Sequence, residues 1–473
     1  MDTADCIKFC QDAWKDGGWA LEGLKEIIRV PNLSPAYDAQ FLTNGLIMKA
    51  MNCLKSWVES QGIKGLTTKL FADDGKEPLL MITIEGDSKA KPVLCYGHLD
   101  KMPHLDPAGW AEGLSATNPV VRGDKVYGRG VNDDCYNCYC LITAIKYLQS
   151  KGLSHPKMIM LYESGEESGS EQIDEYLKEL RPTIGEVGVI LVPDAEAEDY
   201  KTMWCCTSLR GVVMGQLTVE HLSTPCHSGM ATGLVPDTFR LARLLVSRIE
   251  DEQTGEIKIK EAHLPEIPPS RIKMLGEIAK QLGNEAVAIV SPLPGAKLLS
   301  DDIAQLLVDR AWKPGLAVTG ADGLPAIVDG SNVIRTKTAL KLSLRIPPGV
   351  NPEAAQKAMK EILEKDPPYG AKVTYQPFGA GAGWYGRDFC EKVDSSLQLA
   401  SNSVFGQKPL YYGDGGSIPL CNLFQSLWSD ADVIVTGAAG LDSNAHGFTE
   451  SLNIDYTGKF AAAWAIFFEN LTK

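Results

Sequence analysis

The stretch LYESGEESGS, residues 161–170, sets three carboxylates, Glu163, Glu166 and Glu167, directly after the apolar run KMIMLY. Like charges this close repel and raise one another's pKa unless a cation or solvent answers them. Two readings compete for such a cluster. It is either a cation site or the start of a helix, with Ser168 or Ser170 as cap and the acids of EQIDEYLKEL favoured by the helix dipole. Taken alone, the helix start is the simpler reading, because short motifs match by accident.

Other residues change the balance. His98 and Asp100 in YGHLD stand two apart at the end of an apolar run, a spacing that lets the carboxylate orient an imidazole whose other nitrogen binds a metal. Asp133 and Asp134 in YGRGVNDDCYN occupy a glycine-flanked turn before a helical pattern. An N-cap accounts for one of them but not easily for both. Asp194 closes VILVPD. Acids or histidine thus follow four successive strand-like segments, or the loops after them. Random surface acids would have no such preference, and the joint signal is strong.

The elements that must position these residues alternate in type. LLMITIEG, KPVLCYGHLD, KMIMLYE and GEVGVILVPDAE have strand patterns, whereas CYNCYCLITAIKYLQSKG and SEQIDEYLKEL have helical ones, the first ending at Gly152. That alternation predicts a mainly parallel sheet covered by helices, with active residues gathered at the carboxyl ends of the strands. After about Thr207 the pattern shifts. RGVVMGQLTVEH, ALKLSLRIPPG and AKVTYQPFG read as strands separated by the helices PDTFRLARLLVSRIE and NPEAAQKAMKEILEK, a compact open-faced α+β sandwich inserted in the larger unit. The glycine-rich FGAGAGWYG then returns the chain. The expected division is 1–206 and 384–473 for an α/β catalytic domain and 207–383 for the insertion.

The totals narrow the class of function. A chain of 473 residues is too long for one ordinary core, and 44% hydrophobic with 22% charged residues describes a soluble globular protein. The net charge of -14 argues against nucleic acid or an anionic membrane as partner. The twelve cysteines lack the spacing of a secreted disulfide framework, and the N-terminus carries acids where a signal peptide carries bases. With no run long enough to span a membrane, the expected location is cytoplasmic.

In order and with comparable separations, YGHLD, YGRGVNDD, ESGEESGS, VPDAE, CHSG, LSLRIPPG, GGSIP and NAHGFTE resemble the motifs of the co-catalytic metallopeptidases that include cytosolic nonspecific dipeptidase, carnosinase and aminoacylase. The resemblance covers essentially the whole chain. It implies a metallopeptidase catalytic domain with an inserted dimerisation, or lid, domain, and two divalent metal ions per subunit bridged by Asp133. One ion would also be held by Glu167 and His446, the other by His98 and Asp194. Glu166 would be the general base toward water, with Asp100 beside His98. Zinc is the default where imidazole takes part. Because carboxylates outnumber imidazoles, manganese or cobalt can substitute.

For the inserted domain, the resemblance implies that His227 crosses a homodimer interface to polarise the scissile carbonyl, and that Arg345 binds the substrate's free carboxylate. A guanidinium suits a carboxylate because two parallel charge-assisted hydrogen bonds form. Asn332, with Gly416 and Ser417 of the GGSIP loop, would line the same pocket. His104, His155, His221 and His263 lack comparable context and read as structural or surface residues.

The chain departs from the dipeptidase pattern in two places. Asp134 precedes Cys135 and Tyr136 where Lys-Gly is usual, and Gly413 and Asp414 precede the loop where Arg-Glu is usual. These changes bear on specificity. The expected activity is hydrolysis of the amide bond of dipeptides or similar small amides with a free carboxylate. The alternative is an N-acyl amino acid amidohydrolase, and a metal-binding interaction module without turnover is the reading outside enzymes. Glu166 argues against the last, since mere binding needs no general base.

Overall fold

The computed structural model describes every residue except 74, 291, 417 and 441, with the side chain of 419 also outside it. The chain divides into two compact units, one of Met1–Thr207, Gly386–Tyr411 and Leu423–Lys473, the other of Ser208–Tyr385 and Tyr412–Asn422.

The first unit is built on a sheet whose central strands are apolar along their whole length. Val93–His98, Met158–Glu163 and Val189–Val192 are buried at every position, as strands covered on both faces must be. The order across the sheet is Leu66–Phe71, Leu79–Ile84, Met158–Glu163, Val93–His98, Val189–Val192, Asp432–Thr436 and then Trp204–Leu209. Pairing is parallel through the middle, from Met158–Glu163 to Asp432–Thr436, and antiparallel on either side. The sheet is therefore mixed, and the parallel expectation describes its centre. Strand direction depends on the connections, which side-chain periodicity does not report.

The parallel centre matters for chemistry because it sends four consecutive strand ends to one edge. In register, His98 stands opposite Glu163 at that edge. The helix Ile454–Leu471 is buried along most of its length and packs against Thr3–Trp14, Tyr136–Ser150 and Glu391–Phe405. A helix apolar all round belongs in a core. Among the described residues, no helix is long and apolar enough to cross a membrane.

The second unit carries a four-stranded antiparallel sheet in the order Gly315–Asp322, Lys337–Ile346, Gly211–Glu220, Lys372–Gly381. Along Gly211–Glu220 burial alternates strictly, and the buried set, Val213, Leu217 and Val219, joins Leu241, Leu245, Met359 and Leu363 of the helices Thr238–Val246 and Pro352–Glu364 in one core. Two helices, Pro269–Leu282 and Ile303–Trp312, and the strand Gly315–Asp322 extend the expected strand–helix–strand series.

Candidate metal centre

Neither serine of the acidic stretch caps a helix. Residues Glu166–Ser168 form one tight turn, the next helix begins only at Ile173, and its N-terminal flank, Gln172, makes no side-chain cap. Instead the Ser168 hydroxyl meets Ser34 Oγ at 2.5 Å and accepts the Ala36 N–H at 2.8 Å, while Ser170 Oγ donates to Glu163 at 2.8 Å. The buried Glu163 also accepts the Tyr96 hydroxyl at 2.5 Å, and burial pushes its carboxyl up to about 7. Glu163 thus fastens the turn to the strand edge.

The paired aspartates are not caps either. The helix Tyr136–Ser150 is preceded by Cys135, which makes no capping bond, and the Asp133–Asp134 peptide bond is cis. Asp134 is fully buried, where its carboxylate accepts Asn137 Nδ2 at 2.9 Å and the His98 N–H at 3.4 Å. Gly97 makes this packing possible, since a Cβ there would lie 2.6 Å from both Asp134 Oδ2 and Asn137 Nδ2.

Asp133 lies between two histidines. Its Oδ1 is 3.1 Å from His98 Nε2, and its Oδ2 is 2.9 Å from His446 Nε2. His98 Nε2 is also 3.6 Å from Asp194, and His446 Nε2 is 3.1 Å from Glu167. Donor atoms of His98, Glu166 and Asp194 all lie within 4.8 Å of one another, as do those of Asp133, Glu167 and His446. His98 is fully buried, whereas the His446 side chain is 52% exposed, so the cluster meets solvent on the His446 side.

His98 Nδ1 meets the Asp100 backbone oxygen at 3.1 Å and the Asp100 carboxylate at 3.4 Å. The carboxylate accepts the backbone N–H groups of Glu166 at 3.2 Å and Glu167 at 3.0 Å.

The electrostatics follow from burying so many like charges together. Burial, reinforced by neighbouring carboxylates, holds Glu166 and Glu167 above the ordinary carboxylate range and pushes Asp194 up to about 7. Burial acts on Asp133 in the same direction, but His446 and His98 outweigh it and hold it well below its usual value. Asp133 and Glu167 in turn push His446 up to about 10. Four carboxylates around two imidazoles, in two groups of three, is a donor set that a divalent cation fits: it removes the mutual repulsion and takes nitrogen and oxygen ligands. The residues able to hold metal are His98, Glu166 and Asp194 in one group and Asp133, Glu167 and His446 in the other.

Three residues at the edge of this centre escaped the sequence reading. Buried Glu450 receives Arg129 Nη1 at 2.7 Å, and Lys101 is buried with its ammonium on the carbonyls of Ile27 and Val30, at 3.0 and 2.8 Å. Their signal was a charge inside an otherwise glycine-rich or apolar motif: YGRG, HLDK and GFTE.

The remaining expected site residues lie in the second unit. His227 is exposed; its Nδ1 accepts the Gly229 N–H at 3.2 Å, and it pairs with Val333 in a short bridge. Asn332 is drawn close by the same bridge, with its carbonyl accepting the Ser228 N–H at 2.9 Å. Arg345 lies on the sheet between Val212 and Gly315. Gly416 follows Gly415, where a Cβ would come within 2.8 Å of Arg210 Nη2. Burial, with Arg345 and Arg310 nearby, lowers the Arg210 guanidinium to about 10. Ser417 lies outside the described residues.

The chain is similar to known proteins. The chain is 25% identical over 365 residues to the cysteinylglycine-S-conjugate dipeptidase of Corynebacterium striatum, covering 77% of each chain. To the Cys-Gly metallodipeptidase DUG1 of Saccharomyces cerevisiae it is 26% identical over 388 residues, or 80% of this chain and 78% of that one. The crystal structure of human carnosine dipeptidase 1 shares the fold, with a TM-score of 0.76 over 100% of this chain and 99% of that one at 18% identity. The model of peptidase family M20/M25/M40 matches residues 94–388, a span that runs from the strand bearing His98 through Asp133, Glu167 and Asp194, and the chain belongs to that family.

Proposed function

We propose that this metallopeptidase hydrolyses the amide bond of dipeptides or related small substrates with a free carboxylate, using two divalent ions per subunit. The observation that carries the reading is Asp133, whose two oxygens face two different histidines, each in its own donor group. A carboxylate so placed suits a ligand shared between two ions.

His98, Asp194 and Asp133 would hold one ion, and Glu167, His446 and Asp133 the other. Zinc suits a set containing imidazole, while the excess of carboxylates also accommodates manganese or cobalt. When bound, such ions make water more acidic and polarise the substrate carbonyl. The protein's own part is to position and to move protons. Glu166 takes the proton of the attacking water on a carboxylate oxygen and returns it to the departing nitrogen. Asp100 fixes the turn from which Glu166 projects.

Arg345 would bind the substrate carboxylate, with Asn332 and Gly416 lining the same subsite. The second unit, with exposed His227, would serve a homodimer as its dimerisation or lid domain. The twelve cysteines are all free, which suits a reducing cytoplasm.

The deciding experiment is turnover of a panel of dipeptides, tripeptides and N-acetyl amino acids, with and without a chelator. Cleavage of free dipeptides that stops on chelation is expected. Preference for N-acetyl amino acids would replace the reading with an aminoacylase-type one, and metal binding without turnover of any member would leave an interaction module.

A further inference from the structure

We propose that Arg129 and Glu450 are a positioning pair that holds Asp133 and His446 in ligand geometry; the inference rests on the reading of those two residues as metal ligands. Glu450 is fully buried, and it spends its carboxylate almost entirely on the loop that delivers Asp133. Besides Arg129 Nη1 at 2.7 Å, it accepts the N–H groups of Gly130 at 3.0 Å, Asn132 at 3.1 Å and Asp133 itself at 3.3 Å. Arg129 reaches the other way. Its Nη2 donates at 2.8 Å to the carbonyl of Gly447, the residue after His446, and its Nε donates at 3.2 Å to Pro103.

The two loops come from opposite ends of the chain and need such a clasp. Downstream, Ser451–Asn453 pairs with Lys125–Tyr127, with Ser451 opposite Tyr127. That ladder brings the loops together but stops short of the ligands. Beyond it the backbone is irregular: Asn444, His446 and Thr449 have φ of 53°, 62° and 59°, a region in which side-chain-bearing residues persist only where the surroundings hold them. The Arg129–Glu450 pair supplies that hold on both loops at once. Partners of this kind, one bond removed from the ligands, are worth about 10- to 100-fold in metal affinity.

A buried ion pair that serves only the fold would behave differently. Removing one partner would leave a buried charge and destabilise the whole unit, and removing both charges would repair it. The test uses the full chain, stripped of metal by chelation and titrated with Co2+, with the visible absorption of the bound ion and the melting temperature of the metal-free protein read in parallel. Wild type and Asp133→Ala come first: equal Co2+ binding by both would refute the ligand reading itself, whatever Glu450 does. Given that control, Glu450→Gln should weaken Co2+ binding about 10- to 100-fold and alter the absorption band. Arg129→Gln combined with Glu450→Gln should recover melting temperature without recovering affinity. Should Glu450→Gln fail to fold, Arg129→Lys keeps the opposite charges, removes the Gly447 contact, and is read in the same way. Unchanged affinity and spectrum, or affinity that returns in step with melting temperature in the double variant, would overturn the proposal.

Discussion

The Asp100 carboxylate accepts the backbone N–H of Glu167 at 3.0 Å. It also accepts that of Glu166 at 3.2 Å and lies 3.4 Å from His98 Nδ1, so one fully buried side chain orients three members of the donor cluster. Asp100→Ala removes both anchors of the turn. It should lower metal affinity by about 10- to 100-fold, as loss of a partner behind the ligands does. Asp100→Asn keeps an acceptor for one N–H and turns a donor toward the other, and should fall between. Equilibrium dialysis against zinc measures both. Wild-type affinity in Asp100→Ala would mean that the turn holds itself.

Adjacent glutamates should fail in different ways. Glu167 is 3.1 Å from His446 Nε2 and belongs with Asp133, whereas Glu166 is grouped with His98 and Asp194. Glu166→Gln is nearly isosteric but cannot take a proton, so it should keep its metal and lose roughly 10²- to 10⁴-fold in kcat. Glu167→Ala should instead lose metal. Metal analysis alongside kcat separates the two, and a Glu166→Gln enzyme that turned over normally would remove Glu166 as the base. Loss of metal from that same variant would make Glu166 a ligand.

Much of this cluster was legible because the chemistry sits where apolar strands stop. His98 and Asp194 each end a run that is buried on both faces, a context in which a charged or ionisable residue stands out. Glu166 and Glu167 lie one turn further, and Asp133 follows a glycine pair. His446 is different. It stands 252 positions after Asp194 in an irregular loop, and only resemblance to known motifs suggested it. Glu450 and Arg129 showed only as charges inside glycine-containing motifs, and their pairing could not be read, because an ion pair between residues 321 positions apart exists only once Ser451–Asn453 has paired with Lys125–Tyr127. The strand Gly315–Asp322 was missed for a plainer reason. It is a sheet edge with mostly exposed or half-exposed, small residues, GLAVTGAD, and lacks the buried alternation of its neighbours.

Arg345 offers a test of the substrate's free carboxylate. A guanidinium–carboxylate contact that contributes roughly 1.5–3 kcal/mol corresponds to about 10- to 100-fold in affinity. Arg345→Met should therefore raise KM by that factor for dipeptides with a free C-terminus, with a smaller effect on kcat and none on metal content. C-terminally amidated dipeptides are the control. They should be poor substrates of wild type and little worse for the variant, and equal losses on both series would take Arg345 out of the subsite.

His227 is exposed, and its Nδ1 is engaged by its own Gly229 N–H, which leaves Nε2 as the nitrogen available to a substrate. If the site on one subunit takes His227 from the other, His227→Ala and Glu166→Gln should each be nearly inactive as homodimers, since every site then lacks either the histidine or the base. Mixed dimers are not equivalent. In each, one site combines an intact Glu166 with the partner's intact His227, and the second site carries both defects. Co-expression in equal amounts makes half the dimers mixed, and half the sites in those are whole, so about a quarter of wild-type activity per site should return. Purification through two different affinity tags isolates the mixed species, in which about half of wild-type activity is expected. A mixed dimer no more active than its parents would place His227 within its own subunit's site or outside catalysis, because only exchange of the histidine between subunits can rebuild a site from two chains that are each defective.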